Sequence, residues 1–331
     1  MHRATPIHVS LTLPLLLILC APIFGQSSSD EPALKSWTEL VNVDVLARNQ
    51  KTGRIINNLG KDEFSVFEDN IKQTIAYYSQ ERLPLSIILL IDRAGCINAF
   101  NDQIRAATIE AFSRLKAEDE IAMMTFSNKV SLVQPFTRER AVINDQIMAV
   151  EQQHSSEQHY FNAGIFEAAN YMSKAANPIG RRAIIVLTSL EASIDFSKIS
   201  EKEALQALLE SGAIVSGVLV KTLVGQIEQG IRGKPTSILR HLGLRSGSLK
   251  MFVSETGGEL ISAPPKKMNE TLNRVVNNIA TSYSLAYFPT NSVRDGKRRR
   301  IKVELSSDVE KREGKTVLIT RKSYIMPKAI N

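Results

Sequence analysis

Five consecutive apolar residues, Ile87, Ile88, Leu89, Leu90 and Ile91, run without interruption into the acid Asp92. A strand with no polar alternation has no face to offer water, so it belongs in the middle of a parallel sheet covered by helices on both sides. Three further runs share its character: EIAMMTFS at 120–127, RAIIVLTS at 182–189 and AIVSGVLV at 213–220. The segments between them carry helical periodicity. Phe100, Ile104, Ala107, Ala111 and Leu115 fall at spacings of three and four and line one stripe. Ser200 followed by Glu203 is a capping-box signature ahead of Leu205, Leu208 and Leu209, and Gly212 supplies the stop. Leu272, Val275, Val276 and Ile279 mark a last amphipathic helix. Strand and helix in alternation require crossover connections, which predicts an α/β fold with a doubly wound, mostly parallel six-stranded sheet. Val130 to Val133 lies only three residues beyond the second run, too close for a crossover, and is expected to pair antiparallel as an edge strand.

Both ends of the chain read differently. Val41, Val43 and Val45 alternate with polar residues, Lys51 to Gly53 turns the chain, Phe64 and Val66 alternate again, and Asp69-Asn70 marks another turn before Ile71. Near the other end Tyr283, Leu285 and Tyr287 alternate, Asp295-Gly296 turns, and Ile301, Val303, Leu305, Val317 and Ile319 continue the pattern. Neither set is large enough to bury a core alone, so the two together are expected to build one β-sandwich into which the α/β domain is inserted. The expected boundaries are a signal peptide at 1–25, a linker at 26–37, the first sandwich segment at 38–82, the α/β domain at 83–281, the second sandwich segment at 282–326 and a tail at 327–331.

The pieces LLID (89–92), MTFSN (124–128), IVLTS (185–189), TGGELISA (256–263), YSLAYFPT (283–290) and DGKRRRIKVEL (295–305) together resemble the von Willebrand factor type A family. The resemblance is closer still to the secreted proteins related to that family in acidobacteria, and it spans roughly Leu40 to Tyr324. It implies a Rossmann-like fold and a protein-binding role. It also implies a metal-ion-dependent adhesion site, built from Asp-x-Ser-x-Ser after the first strand, a Thr from a second loop and an Asp after the fourth strand. Oxygen ligands in near-octahedral array are what magnesium demands. Here the first motif reads Asp92, Arg93, Ala94, Gly95, Cys96. Counting back from Gly164 and Ile165 places His159 at the threonine position, and Ser189 stands where the second aspartate is expected.

Those replacements leave one carboxylate where the site needs two, exchange both serine hydroxyls for a methyl group and a thiol, and add the charge of Arg93. Asp92, Ala94, Cys96, His159 and Ser189 are therefore read as vestiges of a metal site, with no metal and no cofactor expected. Asp92 is expected to be a loop carboxylate satisfied by backbone N–H groups and Arg93. Two alternatives stay open: a magnesium-dependent ligand site at the same place, and a zinc site at Asp92, Cys96 and His159, whose thiolate and imidazole suit a softer ion.

The first twenty-five residues carry His2 and Arg3, then an apolar stretch from Leu11 to Cys20, then Gly25 before a polar Ser-rich run. This is the pattern of a signal peptide cut after Gly25, and it predicts a secreted or periplasmic protein with no transmembrane span. Cleavage leaves Cys96 as the sole thiol, so an internal disulfide is excluded and the fold rests on its apolar core; 43% hydrophobic residues make that feasible. The net charge of +7 is unevenly placed. Arg232, Lys234, Arg240, Arg245 and Lys250 lie in a stretch without acids after the fifth strand, and the four arginines and lysines from Arg232 to Arg245, with Asp92, Arg93 and His159, are the candidate partner-binding residues. A second basic group, Lys297 to Arg300 with Lys302, sits on a hairpin with no aromatic residues interleaved, which argues against nucleic acid. A nucleotide-binding α/β domain is a further alternative, but DRAGCINAF holds one glycine where a dinucleotide loop needs three, and no GxxxxGK[ST] occurs. The expectation is a non-enzymatic protein whose partner is a protein of the cell envelope or beyond. The oligomeric state is open.

Overall fold

The apolar runs form the strands expected of them. In the computed structural model, which describes residues 40–93, 101–151, 158–177, 180–195, 197–221 and 246–329, the chain opens with β1 (Val41–Asn49), β2 (Phe64–Glu68), β3 (Ile71–Gln73) and β4 (Ile75–Ser79). The central part follows: β5 (Leu85–Asp92), α1 (Asn101–Ser113), β6 (Glu120–Phe126), β7 (Val130–Thr137), α2 (Arg140–Glu151), α3 (Phe161–Tyr171), β8 (Arg181–Thr188), β9 (Ala192–Ile194), α4 (Glu201–Ser211) and β10 (Ile214–Val220). Then come β11 (Ser246–Ser248), α5 (Leu249–Thr256), β12 (Leu260–Ala263), α6 (Met268–Thr281), β13 (Tyr283–Tyr287), β14 (Arg298–Leu305), α7 (Ser307–Glu313), β15 (Thr316–Thr320) and β16 (Ser323–Ile325).

Six strands make the central sheet in the order β12-β10-β8-β5-β6-β7. All neighbours run parallel except β7, which turns back antiparallel on β6 and forms the edge. Every residue of β5 is buried, because each face of the sheet has its own helical layer. On one side Ile87, Leu89 and Ile91 pack with residues of α1, α2 and α6; on the other Ile88 and Leu90 pack with residues of α3, α4 and α5. β7 runs on to Thr137 through Pro135, further than its first four residues suggest. At an edge a missing N–H is tolerated, and register shifts opposite Met123 mark where the ladder adjusts. Ser200 caps α4 in a full capping box and Gly212 ends it in the left-handed region, as the sequence predicts.

The two ends of the chain build two four-stranded sheets, β15-β1-β13-β4 and β16-β14-β2-β3. Each sheet draws strands from both ends: β1 pairs β13 with Val43 opposite Leu285, and β14 pairs β2 with Val303 opposite Val66. Their inward faces share one core, in which Val43, Val45, Phe64, Val66, Tyr283, Leu285, Tyr287, Ile301 and Tyr324 meet. β9 pairs antiparallel with β11 in a further two-stranded sheet, and α7 follows β14.

Candidate functional site

β5 and β8 run parallel and side by side, so their carboxyl ends bring Asp92 and Thr188 together. The Thr188 hydroxyl donates to Asp92 Oδ2 at 2.6 Å, and the backbone N–H of Leu190 donates to Thr188 Oγ1 at 3.2 Å. With one lone pair occupied by Leu190, the Thr188 proton is aimed at the carboxylate. His159 Nδ1 stands 3.0 Å from the same Oδ2. An ionised carboxylate only accepts, which places the ring proton on Nδ1.

His159 is delivered by the entry to α3. Tyr160 N–H bonds to Ser127 O at 2.7 Å, tying that entry to the end of β6, and the Phe161 ring meets Phe126 edge-on, centroids 5.6 Å apart. Gly164 allows α3 to approach: a Cβ there would come to 3.0 Å from the Phe126 ring. The first turn of α3 is held from a distant loop. Asp195 Oδ2 accepts the Asn162 N–H at 2.5 Å while its Oδ1 accepts the Ser197 N–H at 2.8 Å. A carboxylate at a helix N-terminus is favoured by the exposed N–H groups and the helix dipole together.

Asp92 is 2% exposed and His159 3%, and Arg93, whose N–H bonds to Phe126 O at 2.7 Å, is buried with them. These three form the floor of the sheet's upper end. Direct contact with a partner through their side chains, expected from the sequence, is at odds with that burial. At Asp92 the side chains of Thr188 and His159 both bond Oδ2, two partners that the sequence expectation did not include. Ser189 is 7% exposed, and its Oγ has no hydrogen-bond partner among the described residues. Ala94 and Cys96 lie outside the described residues, as do Arg232, Lys234, Arg240 and Arg245. Among the described residues no group of three or more His, Cys, Asp or Glu side chains is gathered to hold a metal ion.

Thr188 and Asp195 are the site residues that sequence reasoning passed over. Thr188 sits beside Ser189 in the IVLTS piece, and Asp195-x-Ser197 has the spacing of an Asx turn.

A parallel sheet with one antiparallel edge, helices on both faces, and an aspartate at the carboxyl end of its central strand define a von Willebrand factor type A fold. Residues 87–191 match the von Willebrand factor type A domain, and the chain carries such a domain. No curated protein matches the sequence. Among solved structures the chain is similar to an aerotolerance-related membrane protein from Bacteroides fragilis, at 13% identity and a TM-score of 0.42 over 59% of this chain and 98% of that one. It is similar to proximal thread matrix protein 1 from the mussel byssus, at 14% identity and a TM-score of 0.47 over 64% of this chain and 50% of that one. The PilB minor pilin from Streptococcus sanguinis gives 11% identity and a TM-score of 0.42 over 61% of this chain and 63% of that one.

Proposed function

We propose that the chain is an exported, non-enzymatic protein-binding module whose von Willebrand factor type A domain captures its partner without a bridging metal ion. The observation that carries this reading is the double hydrogen bond on Asp92 Oδ2. A carboxylate that anchors a divalent cation must present lone pairs to it, and here those of Oδ2 already take protons from Thr188 and from a ring N–H of His159. Replacing a second aspartate by Ser189 removes the negative charge that would draw a hard cation out of water. The donor set among the described residues therefore does not fit magnesium.

Burial supports the non-enzymatic part. Asp92 and His159 form a pair of the kind used in general-base chemistry, yet both are closed off from solvent, so a substrate has no open face to approach. Recognition then falls to the surface around this floor, and the basic stretch from Arg232 to Arg245 favours a partner with an acidic surface. The acidobacterial resemblance and the apolar segment near the start support a partner in the envelope or outside the cell. No described helix is long and apolar enough to cross a membrane.

Elemental analysis of the purified protein beside a Cys96→Ser variant tests the reading, together with partner capture in magnesium and in chelator. Metal-free protein whose capture is equal in both supports it. Stoichiometric magnesium with chelator-sensitive capture would replace it by a metal-dependent site, and zinc lost in Cys96→Ser by a thiolate site.

A further inference from the structure

Three large apolar side chains that stand in water belong to one end of the β-sandwich: Ile71 is 56% exposed, Phe288 44% and Val293 61%. They sit on two segments bound to each other. Gln73 on β3 donates through Nε2 to Thr290 Oγ1 and accepts the Thr290 N–H at Oε1, both at 3.0 Å. Asp69 N–H bonds to Arg300 O, and Arg300 N–H bonds back to Asp69 Oδ1, again at 3.0 Å each. Arg299 Nη2 donates to Val293 O at 3.2 Å. The turn at Asp69 and Asn70, both with positive φ, and the loop from Phe288 to Gly296 thus form one rim.

This rim is cationic. Residues 69–73 and 288–300 contain six basic side chains against two acidic ones, Asp69 and Asp295. Asp295 is already engaged by Arg299 at 3.1 Å and Lys297 at 3.7 Å. Lys72, Lys297 and Arg300 are exposed on the same two segments. Exposed apolar side chains on segments tied together and rich in basic residues carry the composition of an interaction site, and reversible attachment to a bilayer needs these two signals in combination, apolar insertion and attraction to anionic headgroups.

We propose that this end of the sandwich docks on an anionic lipid surface. Ile71, Phe288 and Val293 enter the boundary between headgroups and acyl chains, while Lys72, Lys297 and Arg300 lie against phosphate groups. A lipid surface suits the geometry better than a protein. The apolar side chains stand on a loop and on an edge strand of three residues, too short to template a partner's strand. A fluid surface moulds itself around such projections. This surface is separate from the upper end of the parallel sheet and does not depend on the reading given to Asp92 and His159.

The test uses the full chain with vesicles of phosphatidylglycerol and phosphatidylethanolamine, against vesicles of phosphatidylcholine alone. Sedimentation with the anionic vesicles that weakens with added salt is expected, with at least a tenfold lower partition for Ile71→Ser/Val293→Ser and for Lys72→Glu/Arg300→Glu. All variants share residues 1–25, so a difference between them reports on the sandwich. In a Val293→Trp variant the emission should shift to the blue on anionic vesicles, a local sign of insertion that Trp37, common to every variant, does not supply. The proposal is overturned if the wild-type protein stays in the supernatant at low salt. It is equally overturned if Ile71→Ser/Val293→Ser sediments undiminished and Val293→Trp shows no shift, which would mean adsorption by charge alone.

Discussion

Arg181 at the start of β8 holds Asp44 on β1 at 2.8 Å through Nε, so one buried guanidinium fastens the parallel sheet to the sandwich. The same side chain donates to Ser282 O at 2.9 Å, to Ser284 Oγ at 2.8 Å and to Ile279 O. It thereby satisfies C-terminal carbonyls of α6 and the start of β13 together. Removing a buried charge's partner leaves the other uncompensated, which costs about 3–5 kcal/mol. Asp44→Asn, which strips the carboxylate from the fully buried Arg181 guanidinium, should lower the unfolding free energy measured in urea by up to about that amount, and Arg181→Met, which also takes the donor from Ser282 O and Ile279 O, should cost more. Equal effects would show that the pair, rather than the carbonyl contacts, dominates.

The fate of Gly257 separates backbone strain from close packing. Gly257 (φ +80°) ends α5, and a Cβ there would come to 2.3 Å from Arg321 N and Thr320 C; Gly53 (φ +71°) has nothing within 4 Å of its would-be Cβ. Both substitutions to alanine incur the left-handed penalty of roughly 1–2 kcal/mol. Gly257→Ala must also push apart the junction of β15 and β16, adding about 1–3 kcal/mol. Thermal melts of the two variants should therefore differ clearly, with Gly53→Ala the milder.

Much of this architecture can be read from short stretches because its causes are local. The unbroken apolar run of β5, the three-residue link to β7 and the Ser200–Glu203 capping box each carry their reason within a few residues. The alternation in β1 and β13 reveals strands, but their pairing joins Val43 to Leu285, and no local rule selects that partner. The role of Arg181 is invisible for the same reason, since its acceptors come from β1, α6 and β13. At the site, spacing from Gly164 finds His159, yet the cap on α3 is missed because Asp195 reaches Asn162 from 33 residues away. Capping rules look only one turn back.

Alkaline titration should expose the tyrosines in the sandwich. Glu68 Oε2 accepts hydroxyls from Tyr287 and Tyr324 at 2.8 Å each, all three being buried. Burial, reinforced by the Glu68 carboxylate, pushes both hydroxyls far above the ordinary tyrosine range. Unfolded tyrosine loses its proton near pH 10, about where the folded ones still hold theirs, so above that pH the folded state binds more protons and stability falls as pH rises. Each such tyrosine contributes a slope of about 1.4 kcal/mol per pH unit. Tyr287→Phe should be less stable at neutral pH and lose stability less steeply between pH 10 and 11 (roughly one proton fewer), read from urea midpoints. An unchanged slope would mean the hydroxyl ionises freely in the folded protein.

Thr188 offers a test of the site that needs no partner. Its hydroxyl gives a proton to Asp92 and takes one from Leu190 N–H, so Thr188→Val keeps the shape while leaving a buried carboxylate short of a donor and an N–H without its acceptor. Leaving buried groups unsatisfied costs about 1–3 kcal/mol each, and a loss in that range is expected in chelator and in magnesium alike.

Ligand linkage gives the sharpest check on whether the folded protein holds an ion. A cation held by the folded protein at one hundred times its dissociation constant would stabilise it by about 2.7 kcal/mol, which no melting curve could miss. Because Asp92 Oδ2 is occupied by Thr188 and His159, wild-type protein should melt at the same temperature in millimolar magnesium, in manganese and in chelator. His159→Thr removes the imidazole and restores a hydroxyl where the resemblance calls for one, but Ser189 still withholds the second carboxylate. That variant should therefore also melt independently of magnesium, whereas His159→Thr/Ser189→Asp should gain a magnesium-dependent rise. A rise already present in the wild type would show that the ion displaces the His159 proton from Asp92, and that the hydrogen-bonded floor is only one of two states of the site.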